Sequence, residues 1–201
     1  MLSLATERSL RKQLAEHGAE LVEDDLPAAI WSDRPPLPHA SVYEHPLEYA
    51  IHSRAEKLAD VRGAMKRAGA THHIVSALDE IAWVLNLRGS DVEYNPVFLS
   101  HLLIDASGAT LFVEASKLDA NLQKMLDGDG IRIAPYTGIG DALAKLPADA
   151  KLLLAPGQIS AAVAHAIPAH VTLAETAGPI TSAKARKSSK EMDHVREAMR
   201  R

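Results

Sequence analysis

The sequence SALDEIAWVLNLRGSDVEYNPVFLSHLLI, residues 76–104, changes from a helical to a strand-like apolar pattern. Its first part predicts a short buried helix, because Asp79 can cap it, Glu80 suits the helix dipole in the first turn, and Asn86 follows as a stop signal. Its last part, residues 97–104, is an apolar run of strand length. The pattern therefore predicts a buried helix and a buried strand that hold a polar loop between them.

That polar loop is the candidate functional segment, since loops held by rigid elements often carry function. Two interpretations stay open. The side chains contact a substrate or a neighbouring domain, or Arg88 and Asp91 pair with each other or cap nearby backbone. No catalytic mechanism follows from these residue types alone. The candidate contact residues are Arg88, Ser90, Asp91, Tyr94 and Asn95.

Composition bounds the class of protein. The chain has 201 residues, 47% of them apolar and 4% aromatic, so it can bury a core built from Ala, Leu, Val and Ile. The net charge of -4, with both signs interspersed, argues against nucleic-acid binding, and no apolar run is long enough to cross a membrane. With no cysteine and no apolar leader, a soluble cytoplasmic protein is expected.

The N-terminal part predicts the end of one unit and a linker. Residues 6–17 form an amphipathic helix pattern that Gly18 closes, and residues 19–23 read as a short strand. This order resembles the last unit of an α/β domain whose earlier part is absent. The proline-rich DRPPLPH, residues 33–39, then predicts an interdomain linker, with a proline-rich ligand peptide as the alternative.

The middle of the chain alternates between helix and strand patterns. Ser53 and Glu56 form a capping box for a helix that ends at Gly69, and residues 99–113 read as a β-hairpin. Because strand neighbours point to opposite faces, His72 and His73 cannot ligate one metal together. The pattern predicts an α/β fold with a mixed sheet flanked by helices. The further strands are predicted at 71–75, 131–134, 151–155 and 171–173, and the further helices at 118–126, 139–146 and 161–167.

The C-terminal part is different in character. Residues 176–179 break the alternation, and residues 181–201 are strongly charged, with a helix that Ser189 could cap. Met192, Val195 and Met199 form an apolar stripe on this helix that has no predicted partner in the chain. An exposed stripe of this kind predicts self-association or fraying of the chain's end.

Motifs for chemistry are missing from the sequence. The ten histidines include no HExxH, and Glu191 with His194 makes one i, i+3 pair without a second copy. There is no GxSxG elbow, no cysteine nucleophile and no phosphate-binding glycine loop. The residues alone therefore predict a non-catalytic chain without a metal or cofactor site.

Three segments resemble the three-domain Xaa-Pro aminopeptidases (aminopeptidase P), in the pita-bread superfamily of creatinase, prolidase and methionine aminopeptidase. IWSDRPPLP, residues 30–38, is similar to their link between the first and second domains, through Trp31, Asp33, Arg34, Pro35 and Pro36. Residues 76–100 are similar to their middle-domain block, and KARKSSKEMDHVREA resembles their lead-in to the catalytic domain, where Lys190, Glu191 and Met192 begin a helix.

The resemblance implies a creatinase/prolidase N-terminal-like fold and four segments. These are a remnant of a first domain (1–30), a linker (31–52), the middle domain (53–178) and a lead-in helix (179–201). In the family, two metal ions, usually manganese, sit on an Asp, Asp, His, Glu, Glu set in a catalytic domain that this chain does not reach. The implied role is accessory: to shape access for proline-containing peptides and to pack against the catalytic domain or a second subunit.

A second function stays open. A free-standing binding protein could keep this fold and use a cleft of its own for a small molecule or a peptide. A reading frame that continues into an Asp/His/Glu-bearing domain would favour the accessory role.

Overall fold

A six-stranded mixed sheet with helices on both faces forms the body of the protein. A computed structural model describes residues 2–24 and 26–200. Its strands are β1 (Tyr43–Glu44), β2 (His72–Val75), β3 (Leu87–Arg88), β4 (His101–Asp105), β5 (Ala109–Phe112), β6 (Ile131–Ala134), β7 (Lys151–Leu154) and β8 (Thr172–Glu175). Its helices are α1 (Leu4–Ala15), α2 (Leu26–Ile30), α3 (Leu47–Ala50), α4 (Arg54–Arg67), α5 (Leu78–Val84), α6 (Ala120–Gly128), α7 (Ile139–Ala144), α8 (Ala161–His165), α9 (Pro179–Ala185) and α10 (Ser189–Ala198).

The strand order of the main sheet is β6-β5-β4-β2-β7-β8, and β1 pairs with β3 in a separate two-stranded sheet. β4 runs antiparallel to both of its neighbours, β2 and β5, while the outer pairs are parallel. The register sets His73 opposite Ile104 and Leu102 opposite Leu111. The predicted hairpin and the predicted mixed sheet are both confirmed.

Helix α4 forms where its capping box predicts it. The backbone N–H of Ser53 donates to Glu56 Oε2 at 2.7 Å, and the N–H of Glu56 donates to Ser53 Oγ at 3.2 Å. Gly69 follows the helix with a φ of 63°, a conformation that suits glycine. The helix buries Leu58 and Met65 against the sheet. Its capping box and its apolar face therefore both favour a helix at this position.

Two apolar clusters fill the two faces of the sheet. One joins α4, α5, α6 and α9, through side chains such as Leu58, Ile81, Leu126 and Ile180. The other joins α1, α7 and α8 to the opposite face. The inner strands β2 and β7 therefore meet helices on both sides and are mostly buried, whereas the edge strand β8 is mostly exposed.

The N-terminal segment differs from its prediction. Helix α1 is present, but residues 19–24 carry no regular structure, so the predicted strand at 19–23 is wrong. The guanidinium of Arg11 donates to Leu21 O at 3.0 Å, so a helix side chain satisfies backbone that a strand would have paired. Leu4 is buried in the second cluster, and its N–H donates to Ile159 O at 3.0 Å. Helix α1 thus packs on the same sheet as the middle of the chain.

The C-terminal segment also differs in detail. The predicted break at 176–179 leads directly into α9, with Pro179 at its start, where a missing N–H costs nothing. Ile180 is fully buried, so the core extends past the predicted boundary at residue 178. Ser188, and not Ser189, caps α10. Asp79 does not cap α5; its carboxylate pairs with Lys184 of α9. The four predicted segments stay predictions, although core contacts cross their boundaries.

The helices of the described residues are all too short or too polar to span a lipid bilayer.

Candidate functional site

Arg88 anchors the start of the polar loop through backbone contacts. Its Nη1 donates to Ala82 O at 2.9 Å and to Leu87 O at 2.8 Å, and the side chain is half-buried. Burial lowers the pKa of Arg88 from its ordinary value, although the group remains a cation at neutral pH. The interpretation that Arg88 caps nearby backbone is confirmed. The alternative, an Arg88–Asp91 pair, is wrong.

Asp91 instead forms a buried ion pair with Lys117. The Asp91 side chain is fully buried, the Lys117 side chain is 2% exposed, and Lys117 Nζ donates to Asp91 Oδ2. The same oxygen accepts a hydrogen bond from the Leu99 N–H at 2.6 Å. This one carboxylate therefore ties the loop to Leu99, just beyond its C-terminal end, and to Lys117. No motif near Asp91 marks Lys117, which lies 26 positions further along the chain.

Gly89 lets the loop lie against the core. A Cβ at this position would be 2.8 Å from Phe98 Cβ, closer than real Cβ contacts. Phe98 is fully buried, so it has no room to move aside. Any larger residue at position 89 would push the loop base outward.

The outer residues of the loop face solvent. Ser90, Tyr94 and Asn95 are exposed, and Tyr94 is 98% exposed. Tyr94 also has a φ of 60° in a tight turn, where the Asn95 N–H donates to Val92 O at 3.1 Å. A bulky residue in the left-handed region is uncommon and marks a strained position. The five predicted residues thus divide into a buried base, Arg88 and Asp91, and an exposed tip.

A second polar group lies beneath the loop. Lys57 Nζ donates to Asn86 Oδ1 at 2.6 Å and to Trp83 O at 3.0 Å, and it sits 4.3 Å from the centre of the Trp83 ring. Burial lowers the pKa of Lys57 to about 8. Asn86 Nδ2 in turn donates to His52 O at 2.8 Å. This group fixes the residues before α4 to the end of α5, and sequence reasoning did not find it.

A third group lies at the end of β2. Ser76 Oγ and His101 Nδ1 are 2.9 Å apart, and the His101 ring stacks on Tyr136 at 5.2 Å between centroids. Burial lowers the pKa of His101, so the ring is neutral near pH 7. In the described part of the chain no carboxylate is hydrogen-bonded to the His101 imidazole, and a serine nucleophile needs one to orient its histidine. We interpret the pair as a positioning contact for Tyr136.

One group of side chains has residue types that could ligate a metal ion. Among residues 2–24 and 26–200, Glu7, Glu23 and His165 bring three possible ligand atoms within 4.8 Å of one another. The Arg11 guanidinium already donates to both carboxylates, at 2.6 and 3.2 Å. A cation thus already balances these acids, and the group lacks the five-residue ligand set expected for a two-metal centre. The arrangement fits an ion network better than a metal site.

The chain is similar in sequence to a known domain family and to known proteins. The family model for the creatinase/prolidase N-terminal domain matches residues 33–191. The chain is 35% identical over 208 residues to a probable Xaa-Pro aminopeptidase P of Leptosphaeria maculans, covering 98% of this chain and 34% of that protein. A similar protein of Phaeosphaeria nodorum is 35% identical over 205 residues, covering 96% of this chain and 31% of that protein. The chain therefore spans about a third of the length of these relatives.

Solved structures show the same fold. X-prolyl aminopeptidase from Caenorhabditis elegans, described as a cytosolic enzyme with a di-nuclear active site, superposes with a TM-score of 0.86 at 24% identity, over 98% of this chain and 33% of that one. Xaa-Pro dipeptidase from Bacillus anthracis gives a TM-score of 0.50 at 16% identity, over 70% of this chain and 38% of that one. With a mixed sheet, flanking helices and a matching family model, the chain belongs to the creatinase/prolidase N-terminal domain family.

Proposed function

We propose that this chain is a non-catalytic accessory domain of an Xaa-Pro aminopeptidase, an enzyme that removes an N-terminal residue that is followed by proline. Its role is to shape access to an active site carried by another domain. The similarity to relatives about three times its length supports this proposal. Manganese as the metal of that active site and a cytoplasmic location stay predictions.

The observation that carries the proposal is the build of the loop at residues 88–95. Its base is immobilised by the buried Asp91–Lys117 pair and by the contacts of Arg88 with backbone. Its tip presents Tyr94 to solvent in a strained conformation. Tyrosine on a rigid support is a residue that binding surfaces favour, because it adds contact area at little entropic cost. We infer that Ser90, Tyr94 and Asn95 contact the peptide or the neighbouring domain.

A separate surface supports packing against that neighbouring domain. Helix α10 exposes Met192, Val195 and Met199, and α3 exposes Leu47 and Tyr49 beside it. Tyr49 and His194 connect the two helices, with ring centroids 5.9 Å apart. An apolar surface of this kind marks an interaction site. The catalytic domain is the partner that we propose for it; self-association of the isolated chain through the same stripe stays a prediction.

Tyr94→Ala tests the role of the loop in an Xaa-Pro aminopeptidase that carries this domain. We expect kcat/KM for an Xaa-Pro peptide to fall about tenfold, since an exposed anchor tyrosine contributes on the order of 1–2 kcal/mol. The control is Met125→Ala, which removes a partly exposed apolar side chain on α6. If Tyr94→Ala and Met125→Ala both leave turnover and domain assembly unchanged, the loop has no such role.

A further inference from the structure

The proline-rich segment at residues 34–38, RPPLP, is held in an extended conformation by its own covalent structure. Each proline ring fixes φ at about −65°, and a residue that precedes a proline is pushed out of the helical region. Every residue of the segment is a proline or precedes one, so the backbone follows a polyproline II path. In agreement with this, residues 34–42 form no helix or strand.

This segment lies on the surface, and its backbone carbonyl groups are unused. Pro35, Pro36 and Leu37 are exposed, and Leu37 is 55% exposed. Among residues 2–24 and 26–200, no backbone N–H donates to the carbonyl oxygen of any of these three residues. The segment therefore offers a partner protein both apolar side chains and hydrogen-bond acceptors. Because its conformation is already fixed, binding costs little entropy.

A cavity of about 280 Å³ gives such a partner room beside the segment. Leu37 and Pro38 line this cavity together with Pro135 and Tyr136. An apolar cavity of about 150 Å³ holds a benzene ring, so one aromatic side chain of a partner fits here. Tyr136 stacks on His101 with 5.2 Å between the ring centroids, so this part of the wall is held in place before a partner arrives.

Arg34 narrows the kind of partner. Polyproline II segments bind to aromatic-lined grooves, and some of the domains that carry these grooves also bind an arginine of the ligand. Arg34 lines a separate cavity with Glu23 and Asp24, away from the exposed prolines. The groups left for recognition are the prolines and Leu37, in the order Pro-Pro-Leu-Pro. A groove that binds these residues without an arginine, as in WW domains, fits the segment best.

We propose that residues 35–38 are a docking site for a WW-type domain, a partner with an aromatic-lined groove that binds polyproline II segments. The aromatic side chains of the groove pack on Pro35 and Pro36, and one of them enters the cavity beside Leu37. Side-chain donors of the partner hydrogen-bond to the free carbonyl oxygens of the segment. The inference does not rest on the accessory function proposed above.

The test is an NMR titration of the isotope-labelled chain with a WW domain that binds a synthetic Pro-Pro-Leu-Pro peptide. We expect the amide signals of Leu37, His39 and Tyr136 to shift. The chain should bind at least as tightly as the synthetic peptide, because the fold already holds the segment in its extended form. Pro35→Ala should weaken binding at least about tenfold, since it removes one packing contact and the constraint on φ.

Pro147→Ala is the matched control, because it removes an exposed proline ahead of β7, outside the segment, and should bind like the unchanged chain. Leu37→Ala keeps every proline and should also weaken binding. Unchanged signals of Ile74 and Leu102, both buried in the sheet, show that each variant is folded.

Three results would overturn the proposal. The chain fails to bind a WW domain that binds the peptide, Pro35→Ala and Pro147→Ala bind alike, or the signals that shift all lie outside the segment and its cavity. Activity is not measured in any arm, so failure here leaves the accessory function to its own test.

Discussion

Lys117→Met is expected to lower the free energy of unfolding by about 3–5 kcal/mol, the usual cost of removing one partner of a buried ion pair. The substitution leaves the Asp91 carboxylate buried with the Leu99 N–H as its hydrogen-bond donor. Methionine keeps most of the length and the apolar part of the lysine side chain. The loss of unfolding free energy therefore measures the effect of removing the positive charge. Urea denaturation of the purified chain measures it.

Two further variants make this prediction specific. Lys124→Met, at an exposed position of α6, should change stability by less than about 0.5 kcal/mol. The double variant Asp91→Asn with Lys117→Met should recover a large part of the loss, because no uncompensated charge is left. If Lys117→Met were as mild as Lys124→Met, the buried pair would not be what holds the loop base.

The second large effect is a dependence of stability on pH that comes from His73. Its Nδ1 is 2.9 Å from Leu153 O, so the neutral ring donates there, and its buried Nε2 has no hydrogen-bond partner within residues 2–24 and 26–200. Burial lowers the pKa of His73 to about 4. The unfolded chain takes up this proton near pH 6.5 and the folded chain only near pH 4, so stability falls as pH drops through that window. The loss amounts to about 3 kcal/mol.

His73→Asn isolates this contribution from the carboxylates that titrate in the same range. An asparagine amide can donate to Leu153 O as Nδ1 does, and it does not take up a proton near neutral pH. The difference in unfolding free energy between the two proteins should therefore shrink, or change sign, between about pH 7 and pH 4. A difference that stays constant over this range would show that His73 titrates alike in the folded and unfolded chains.

Local signals in the sequence predicted the regular elements well. The capping box of Ser53 and Glu56 located α4, and β6 has the predicted bounds of 131–134. These features depend on neighbours within a few residues, which a sequence displays directly. The mixed sheet followed from the hairpin and the alternation behind it.

Three predictions about single segments or residues were wrong, and each has a physical cause. Residues 19–23 include the strand-favouring pair Leu21 and Val22, but a strand needs a partner, and Arg11 supplies their contact instead. Asp79 is a good capping residue, yet its carboxylate lies nearer to Lys184 of α9. Two adjacent serines lie at the start of α10, and residue type alone does not show whether Ser188 or Ser189 is the cap.

The candidate site was predicted only in part. The polar loop was found because its residues are adjacent in sequence. Its anchor was not, because Lys117 and Asp91 meet across 26 positions and nothing near either residue marks the pair. The sequence reasoning missed two further contacts for the same reason. These are the hydrogen bond of Lys57 with Asn86 and the stacking of His101 on Tyr136. Pairings of this length depend on the sheet register, which the sequence alone leaves open.

We propose that this chain by itself does not catalyse peptide hydrolysis, and a single assay of the purified chain tests this proposal. The purified chain is incubated with Mn²⁺ and an Xaa-Pro peptide, turnover is followed, and bound metal is counted on the same sample. We predict no turnover and no stoichiometric metal. Turnover together with bound metal would contradict the claim, and Glu7, Glu23 and His165 would then be the first ligands to replace.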